Sequence, residues 1–187
     1  MTKDEGTLRK DRIYLTGFMG SGKSTIGPIL ANTIGYEFLD IDRTIEAREG
    51  KSVNAIFRDQ GEMHFRSLER TLIAEISERR GLVVSLGGGT VTDPETFRMI
   101  TANGVLVYLK VTPDQLYRRL HRRADRPLLS DEEGNRLSEE ALRERIDILY
   151  SAREPLYARA DIIVLTDELR VGLTVDTIVK RLNHFLR

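Results

Sequence analysis

Apolar residues along the chain fall into five short runs, separated by longer segments in which apolar and polar residues recur with the helical period. The runs are residues 12–16, 36–39, 82–86, 105–109 and 162–165. The third and fourth are almost continuously apolar, as expected of strands buried on both faces of a parallel sheet. Strands that alternate with helices predict an α/β fold, in which a central five-stranded parallel sheet is flanked by helices.

The segments between the runs carry signals for the ends of helices. Ser52 is placed to cap a helix that ends before Gly61, and a longer helix follows with its apolar face at residues 65–76. Residues 112–115 predict a capping box with proline at the first helical position. Pro28 lies inside the first predicted helix, where it removes a backbone donor and predicts a kink with no evident function. The methionines predicted to be packing residues are Met19, Met63 and Met99.

A glycine-rich segment joins the first run to the helix after it. Residues 17–25 read GFMGSGKST and match G-x-x-x-x-G-K-[ST] in full, with the strand and helix that a phosphate-binding loop requires on either side. Main-chain N–H groups next to glycines can approach an anion closely, and the helix dipole favours a nucleotide phosphate there. Lys23 can reach the β- and γ-phosphates, and the Ser24 hydroxyl is placed for Mg²⁺. The loop residues predicted to bind ATP are Gly20, Ser21, Gly22, Lys23, Ser24 and Thr25.

Composition limits the other function classes. Among 187 residues, Lys plus Arg and Asp plus Glu number 29 each, so no overall field attracts nucleic acid or an anionic membrane. There is no cysteine, which excludes disulfides and thiolate zinc sites and fits a cytoplasmic protein. No apolar run reaches membrane-spanning length, and residues 1–11 read as a loose polar tail ahead of one domain at 12–187. We expect a monomer.

Candidate functional residues lie just after the second and third predicted strands. Asp40 and Asp42 come directly after the second strand, and Gly87, Gly88 and Gly89 directly after the third. In a parallel sheet these positions meet at the edge where ligands bind. Asp-x-Asp alone fits a helix-capping turn equally well, but beside a phosphate loop we favour a functional role. Three consecutive glycines are costly in chain entropy, which suggests backbone pressed against a ligand.

The arginines divide into a helix face and single candidates. Most of the five between Arg118 and Arg126 fit a solvated helix face, whereas Arg126 opens a stiff, then polar segment typical of a mobile flap. Arg66 precedes Glu69 by three residues on a helix, a spacing that most often gives a surface ion pair. Arg153 lies just before Glu154-Pro155, where a break in the helix is expected. On the residues alone, the chain is a P-loop phosphotransferase with an unknown acceptor.

Six segments together resemble the shikimate kinase family. The similarity extends from Arg12 to about Leu186, with the segments in family order, and only the phosphate loop is specific by itself. The segments are the phosphate loop at 17–25, FLDID at 38–42, G-E-x-x-F-R-x-x-E at 61–69, the glycines at 87–89, RPLL at 126–129 and R-x-x-x-Y at 153–157.

This resemblance implies a fold and a reaction. The fold is that of the nucleoside monophosphate kinases, with a substrate-binding helical region at about residues 42–70 and a lid at about 121–137. The reaction transfers the γ-phosphoryl group of ATP to the 3-hydroxyl of shikimate, on the route to chorismate and the aromatic amino acids. Arg66 and Arg153 would face the shikimate carboxylate, and Gly88 would offer backbone contact. Asp42 would hold the ring hydroxyls and accept the attacking proton.

On the nucleotide side, the resemblance assigns Asp40 to Mg²⁺ through water, together with Ser24. Lys23 and Arg126 would neutralise charge on the transferred group, so that catalysis works by positioning and electrostatics. It leaves open whether Arg119 or Arg122 lies against adenine. Two alternatives differ in function. The triple glycine and the pair Arg66 and Arg153 argue against a gluconate or nucleoside monophosphate kinase. The presence together of Lys23, Ser24, Asp42 and Arg126 argues against an ATP sensor without turnover.

Overall fold

The computed structural model describes residues 11–121, 137–167 and 169–185. In these residues the strands are β1 (Arg12–Thr16), β2 (Glu37–Asp40), β3 (Leu82–Ser85), β4 (Val105–Lys110) and β5 (Ile162–Leu165). The helices are α1 (Lys23–Ile34), α2 (Ile41–Glu49), α3 (Val53–Ser77), α4 (Pro94–Asn103), α5 (Pro113–Leu120), α6 (Glu139–Tyr157) and α7 (Val171–Leu182). A short 3-10 helix covers Thr90–Thr92. None of these helices is long and apolar enough to cross a membrane.

The strands form one parallel sheet in the order β2-β3-β1-β4-β5, so the predicted α/β fold is confirmed. Alternate residues of the central strand face opposite sides, and each side packs into a separate core. Tyr14 belongs to the core beneath α3, α4 and α6, whereas Ile13 and Leu15 belong to the core beneath α1 and α7. All three side chains are fully buried, as the apolar run predicted.

The strand order brings three chain segments together at one edge of the sheet. Strands β2, β3 and β1 are neighbours and parallel, so their carboxyl ends lie side by side. Asp40 ends β2, the triple glycine follows β3, and the phosphate loop follows β1. This arrangement is the one that positions the candidate site.

Helix α3 bends at Gly61, which has φ 83° and ψ 168° in the middle of the helix. The predicted break at this glycine is therefore confirmed, because φ in this range favours glycine. The prediction that Met63 packs in the interior is wrong, since its side chain is 89% exposed. Met63 and the buried Phe65 are two residues apart, and two residues turn a helix by roughly 200°, so they lie on opposite faces.

Two other local predictions are corrected by tertiary contacts. The Thr112 side chain makes no capping hydrogen bond, and its backbone N–H donates to a carboxylate oxygen of Asp167 at 3.0 Å, so the capping box does not form. Helix α6 continues through Pro155 to Tyr157, which places Arg153 within the helix and not at a break. Tyr157, two residues after the proline, is fully buried, and the helix continues to it although Pro155 has no backbone N–H donor. Helix α1 likewise continues through the exposed Pro28, which has no evident role in the site.

Candidate active site

The phosphate loop wraps around the amino end of α1. Gly17, Gly20 and Gly22 have φ values of 143°, 79° and 101°, which other residues adopt only with strain. Gly22 is the N-cap of α1, so the helix dipole points its positive end into the loop. The Lys23 ammonium donates to the carbonyl oxygens of Gly17 at 2.8 Å and Phe18 at 3.2 Å. The loop thus has the geometry of an anion site, with its lysine held along the rim.

A cavity of about 890 Å³ opens above this loop. It brings together all the loop residues predicted to bind ATP, and it continues past the end of β2 to the triple glycine. Predicted site residues that line it are Gly20, Ser21, Gly22, Lys23, Ser24, Thr25, Asp40, Asp42 and Gly88. The remaining candidates, Arg66 and Arg153, lie next to the triple glycine and are not among the residues that line the cavity. Arg126 lies outside the described residues, as does most of the predicted lid.

The two aspartates after β2 have different positions. The Asp40 side chain caps α2 by accepting a hydrogen bond from the backbone N–H of Arg43 at 3.2 Å, and it also lines the cavity. Both interpretations of this residue, capping and functional, are therefore compatible. Asp42 lies in the first turn of α2, and its Oδ1 is 2.9 Å from the point where a Cβ on Gly87 would stand. Its carboxylate thus reaches across from α2 to the end of β3.

The triple glycine is surrounded by polar side chains at very short range. A Cβ on Gly89 would lie 2.3 Å from Nη2 of Arg66, which no real contact allows. A Cβ on Gly88 would lie 3.5 Å from Nη1 of Arg153. None of the three glycines has a positive φ, so the requirement at Gly87 and Gly89 is for space and not for unusual backbone angles. The structure therefore brings Asp42, Arg66 and Arg153 to one short segment of chain.

Arg66 is held by two carboxylates on its own helix. Its Nη1 pairs with Oε2 of Glu69, and its Nε and Nη2 donate to Oε1 of Glu62 at 3.2 and 2.9 Å. Glu69 is 1% exposed, so the pair is not the surface pair that its spacing most often gives. Burial by itself lowers the pKa of Arg66, but the two carboxylates outweigh it and raise that pKa above its ordinary value. This guanidinium stays charged.

Glu69 has a second partner that sequence reasoning missed. The Thr90 hydroxyl donates to its Oε1 at 2.5 Å, and Thr90 itself is 1% exposed. Glu62 was also missed as a partner of Arg66, although its spacing of four residues on one helix could have indicated it. No local pattern connects Thr90 with Glu69, because the two are 21 residues apart.

Arg153 and Tyr157 lie one helical turn apart on α6 and both face the triple glycine. The Tyr157 hydroxyl donates to the carbonyl oxygen of Gly88 at 2.5 Å. Its ring packs against that of Tyr108, with 5.3 Å between the centroids. Burial raises the pKa of Tyr157 to about 12, although the Arg153 guanidinium acts in the opposite direction. Tyr157 therefore remains a hydrogen-bond donor at neutral pH.

Arg119, one of the five clustered arginines, is not on a solvated face. It donates to the carbonyl oxygens of Gly20 at 3.2 Å and Thr166 at 3.0 Å, and it lines the cavity with them. It thereby links the phosphate loop to the segment after β5. Arg122 lies outside the described residues.

The chain is similar to known shikimate kinases in sequence and in structure. Residues 19–183 match the family model described as "Shikimate kinase". The shikimate kinase of Chlorobium limicola is 49% identical over 175 residues, which cover 94% of this chain and 88% of that protein. The crystal structure of shikimate kinase from Bacteroides thetaiotaomicron has a TM-score of 0.84 at 34% identity, covering 92% of this chain and 98% of that one.

A second solved structure, shikimate kinase from Acinetobacter baumannii in complex with shikimate, has a TM-score of 0.82 at 31% identity. It covers 96% of this chain and 97% of its own. Agreement in sequence and fold extends over almost the whole length on both sides of each comparison. The resemblance inferred from the sequence is confirmed, and the chain belongs to the shikimate kinase family.

Proposed function

We propose that the chain transfers the γ-phosphoryl group of ATP to the 3-hydroxyl of shikimate, giving 3-phosphoshikimate and ADP for the synthesis of chorismate and the aromatic amino acids. The observation that carries this proposal is the convergence of two kinds of site at one sheet edge. A phosphate loop lies at one end of the cavity, and the segment at 87–89, with a carboxylate and two guanidiniums around it, lies at the other. A small anionic alcohol fits the second and a nucleoside triphosphate the first.

ATP binds with its phosphates in the loop. Main-chain N–H groups of residues 20–25 and the positive end of the α1 dipole stabilise the phosphate charge. Lys23, now on the carbonyls of Gly17 and Phe18, turns inward to the β- and γ-phosphates. The cavity extends beyond the loop to Arg119, Leu169 and Val171, where a partly apolar wall suits the base. Arg126, assigned by family resemblance, adds a second positive charge at the transferred group.

Oxygen donors near the phosphates fit a Mg²⁺ ion. Ser24 offers a hydroxyl and Asp40 a carboxylate, both on the cavity wall, and such hard oxygen ligands suit magnesium with several waters retained. Ser24 would bind the ion directly and Asp40 through water. The bound ion would neutralise charge on the β- and γ-phosphates. Asp40 could hold the ion through water and still cap α2, because the cap uses a single hydrogen bond, from the backbone N–H of Arg43 to its Oδ1.

The acceptor lies against the triple glycine. Arg66 and Arg153 hold its carboxylate, Gly88 offers backbone contact, and Asp42 orients the ring hydroxyls. The 3-oxygen then forms a bond to the γ-phosphorus as the bond from that phosphorus to the β,γ-bridging oxygen breaks. The proton of the 3-hydroxyl passes to Asp42, and ADP leaves with the bridging oxygen. Positioning and charge stabilisation supply the catalysis, with no covalent enzyme intermediate.

The proposal also covers the oligomeric state, the location and the domain organisation of the enzyme. It acts as a monomer in the cytoplasm, as one kinase domain at residues 12–187 behind a polar tail at 1–11. The helical region at about 42–70 binds the acceptor. A lid at about 121–137 closes over both ligands and keeps water from the γ-phosphoryl group.

ADP release against a panel of acceptors tests the proposal. Shikimate, gluconate and nucleoside monophosphates are compared at equal concentration, with the Lys23→Ala variant as the control for background hydrolysis. Turnover with shikimate alone is expected, and Lys23→Ala should reduce it by about 10²–10⁴-fold through lost charge stabilisation. Preference for another acceptor would refute shikimate as the substrate. ATP binding without turnover on any acceptor would indicate an ATP sensor.

A further inference from the structure

We propose that Thr90 is a positioning residue for recognition of the acceptor carboxylate, acting through Glu69 and Arg66. The inference rests on the proposed function, since it assumes that Arg66 binds that carboxylate. It adds a residue outside the family resemblance on which the site was predicted. Four features carry it: the fixed position of Thr90, the two partners of Glu69, the unequal exposure of the two carboxylates on Arg66, and the closeness of another carboxylate.

Thr90 is anchored to the triple glycine at its backbone. It follows Gly89 directly and opens the 3-10 helix, and its N–H donates to the carbonyl oxygen of Gly87 at 3.2 Å. Its side chain is buried, and its hydroxyl donates to Oε1 of Glu69 at 2.5 Å. The hydroxyl is therefore directed towards the Glu69 carboxylate.

Glu69 divides its two oxygens between Thr90 and Arg66. Oε1 accepts from the Thr90 hydroxyl, while Oε2 pairs with Nη1 of Arg66. A buried carboxylate that is held at both oxygens cannot rotate without losing a charge-assisted hydrogen bond. Thr90 thus fixes the plane of the Glu69 carboxylate, and that carboxylate fixes one edge of the guanidinium.

The other edge of Arg66 is the one that a ligand can take. Its Nε and Nη2 are occupied by Glu62, whose side chain is 65% exposed, whereas the Glu69 side chain is 2% exposed. An exposed ion pair is worth little, so an incoming carboxylate can replace Glu62 on this edge. It cannot replace Glu69 at comparable cost, because a buried charge would be left unpaired. Thr90 and Glu69 therefore keep Nη1 of Arg66 in place, whereas Glu62 occupies Nε and Nη2 until the acceptor carboxylate displaces it.

A nearby carboxylate makes the Thr90 hydroxyl more important. If Gly87 carried a Cβ, that atom would be 2.9 Å from Oδ1 of Asp42, 3.0 Å from Oε1 of Glu69 and 3.1 Å from Oγ1 of Thr90. Two carboxylates therefore approach the same small space, where like charges repel. A donor on the Glu69 oxygen offsets part of that repulsion and keeps Glu69 turned towards Arg66.

Replacement of Thr90 by valine tests the proposal, because valine keeps the shape and removes the hydroxyl. Thr90→Val is expected to raise the KM for shikimate by about five- to tenfold, the effect of one unsatisfied buried acceptor, with kcat and the KM for ATP changed less than about twofold. Thr90→Ser restores the hydroxyl and should restore the KM. With the methyl ester of shikimate, which has no carboxylate charge, Thr90→Val and the parent should have the same KM.

Thr96→Val is the matched control. Thr96 is also buried, and its hydroxyl donates to a carboxylate oxygen of Asp93 at 2.6 Å at the start of α4. This control should lower the melting temperature and leave the KM for shikimate unchanged. Equal effects of Thr90→Val and Thr96→Val on KM would overturn the proposal, as would no effect of Thr90→Val or no rescue by serine. If Thr90→Val does not fold, Thr90→Ala replaces it in the same comparisons. Failure of the parent to use shikimate would refute the proposed function instead.

Discussion

The hydroxyl of Tyr157 donates a 2.5 Å hydrogen bond to the carbonyl oxygen of Gly88. Arg153 lies one turn earlier on the same helix, and its Nη1 is 3.5 Å from the point where a Cβ on Gly88 would stand. Helix α6 therefore sets both the backbone of the triple glycine and the guanidinium beside it. A shift of this helix would move two elements of the acceptor site together.

Removal of the Tyr157 hydroxyl should weaken acceptor binding more than nucleotide binding. Tyr157→Phe leaves the Gly88 carbonyl without its buried donor, so we expect the KM for shikimate to rise by about three- to tenfold while the KM for ATP stays constant. Tyr108→Phe is the control, because it removes a buried hydroxyl whose partner is Tyr150, at 3.3 Å, and keeps the ring that packs against Tyr157. Steady-state kinetics of both variants decide the point. Equal KM changes in the two would show that the hydroxyl serves stability alone.

Asp42→Asn should lower turnover without changing nucleotide affinity. The amide keeps the shape of the side chain but cannot accept the proton of the attacking hydroxyl, so kcat is expected to fall by about 10²-fold or more. Asp40→Asn offers a comparison on the same turn, since that residue is not assigned to proton transfer. Nucleotide affinity is measured by titration with ATP in the absence of acceptor. Brisk turnover by Asp42→Asn would mean that the proton leaves by another route.

Arg153→Ala should reduce affinity for the acceptor carboxylate. A charge-assisted hydrogen bond contributes about 1.5–3 kcal/mol, so the KM for shikimate should rise at least about tenfold, with little change for ATP. The methyl ester of shikimate keeps the ring hydroxyls and lacks the charge, so it should be a poor substrate for the parent. It should also lose much less than the acid on going to the variant. Equal losses for acid and ester would show that Arg153 does not bind the carboxylate.

Gly89→Ala should impair binding while the protein remains folded. The added methyl would lie 2.3 Å from Nη2 of Arg66, and the end of a long side chain can move away from it. The displaced guanidinium should raise the KM for shikimate about tenfold or more, following the loss of a directional charged contact. Gly172→Ala in α7 is the control, because nothing lies within 4 Å of its Cβ and alanine favours a helix. Thermal unfolding and kinetics are measured for both variants. A normal KM for shikimate in Gly89→Ala would show that Arg66 can move away from the methyl group without weakening acceptor binding.

Local signals in the sequence were sufficient for the order of strands and helices and for the phosphate loop. Ser52 caps α3 through the N–H of Ala55, and Asp93 caps α4 through that of Thr96, as their residue types indicate. These contacts join residues three apart in sequence, so a short window contains both partners. The same is true of Gly61, whose backbone angles set the bend in α3.

Contacts between distant segments could not be predicted from the chain alone. Arg119 and Gly20 are 99 residues apart, and Tyr157 and Gly88 are 69 apart, so neither pair leaves a local pattern. The absent capping box at Thr112 has the same origin, because its N–H is taken by Asp167 from the segment after β5. Family resemblance, and not spacing, placed Arg66 and Arg153 in one site. Thr90 shows the remaining gap, since this partner of Glu69 lies 21 residues away from it and became visible only in three dimensions.

The position of β1 in the middle of the sheet has a consequence for synthesis on the ribosome. This strand leaves the exit tunnel well before its hydrogen-bonding partners β3 and β4, which come much later in the chain. Parallel strands pair only after the intervening crossover has emerged, and such distant pairing is slow. A nascent chain that ends before Val105 therefore carries the complete phosphate loop sequence but lacks β4, one of the two strands that pair with β1. We therefore expect nucleotide to stabilise chains that extend past β4 more than chains that end before it.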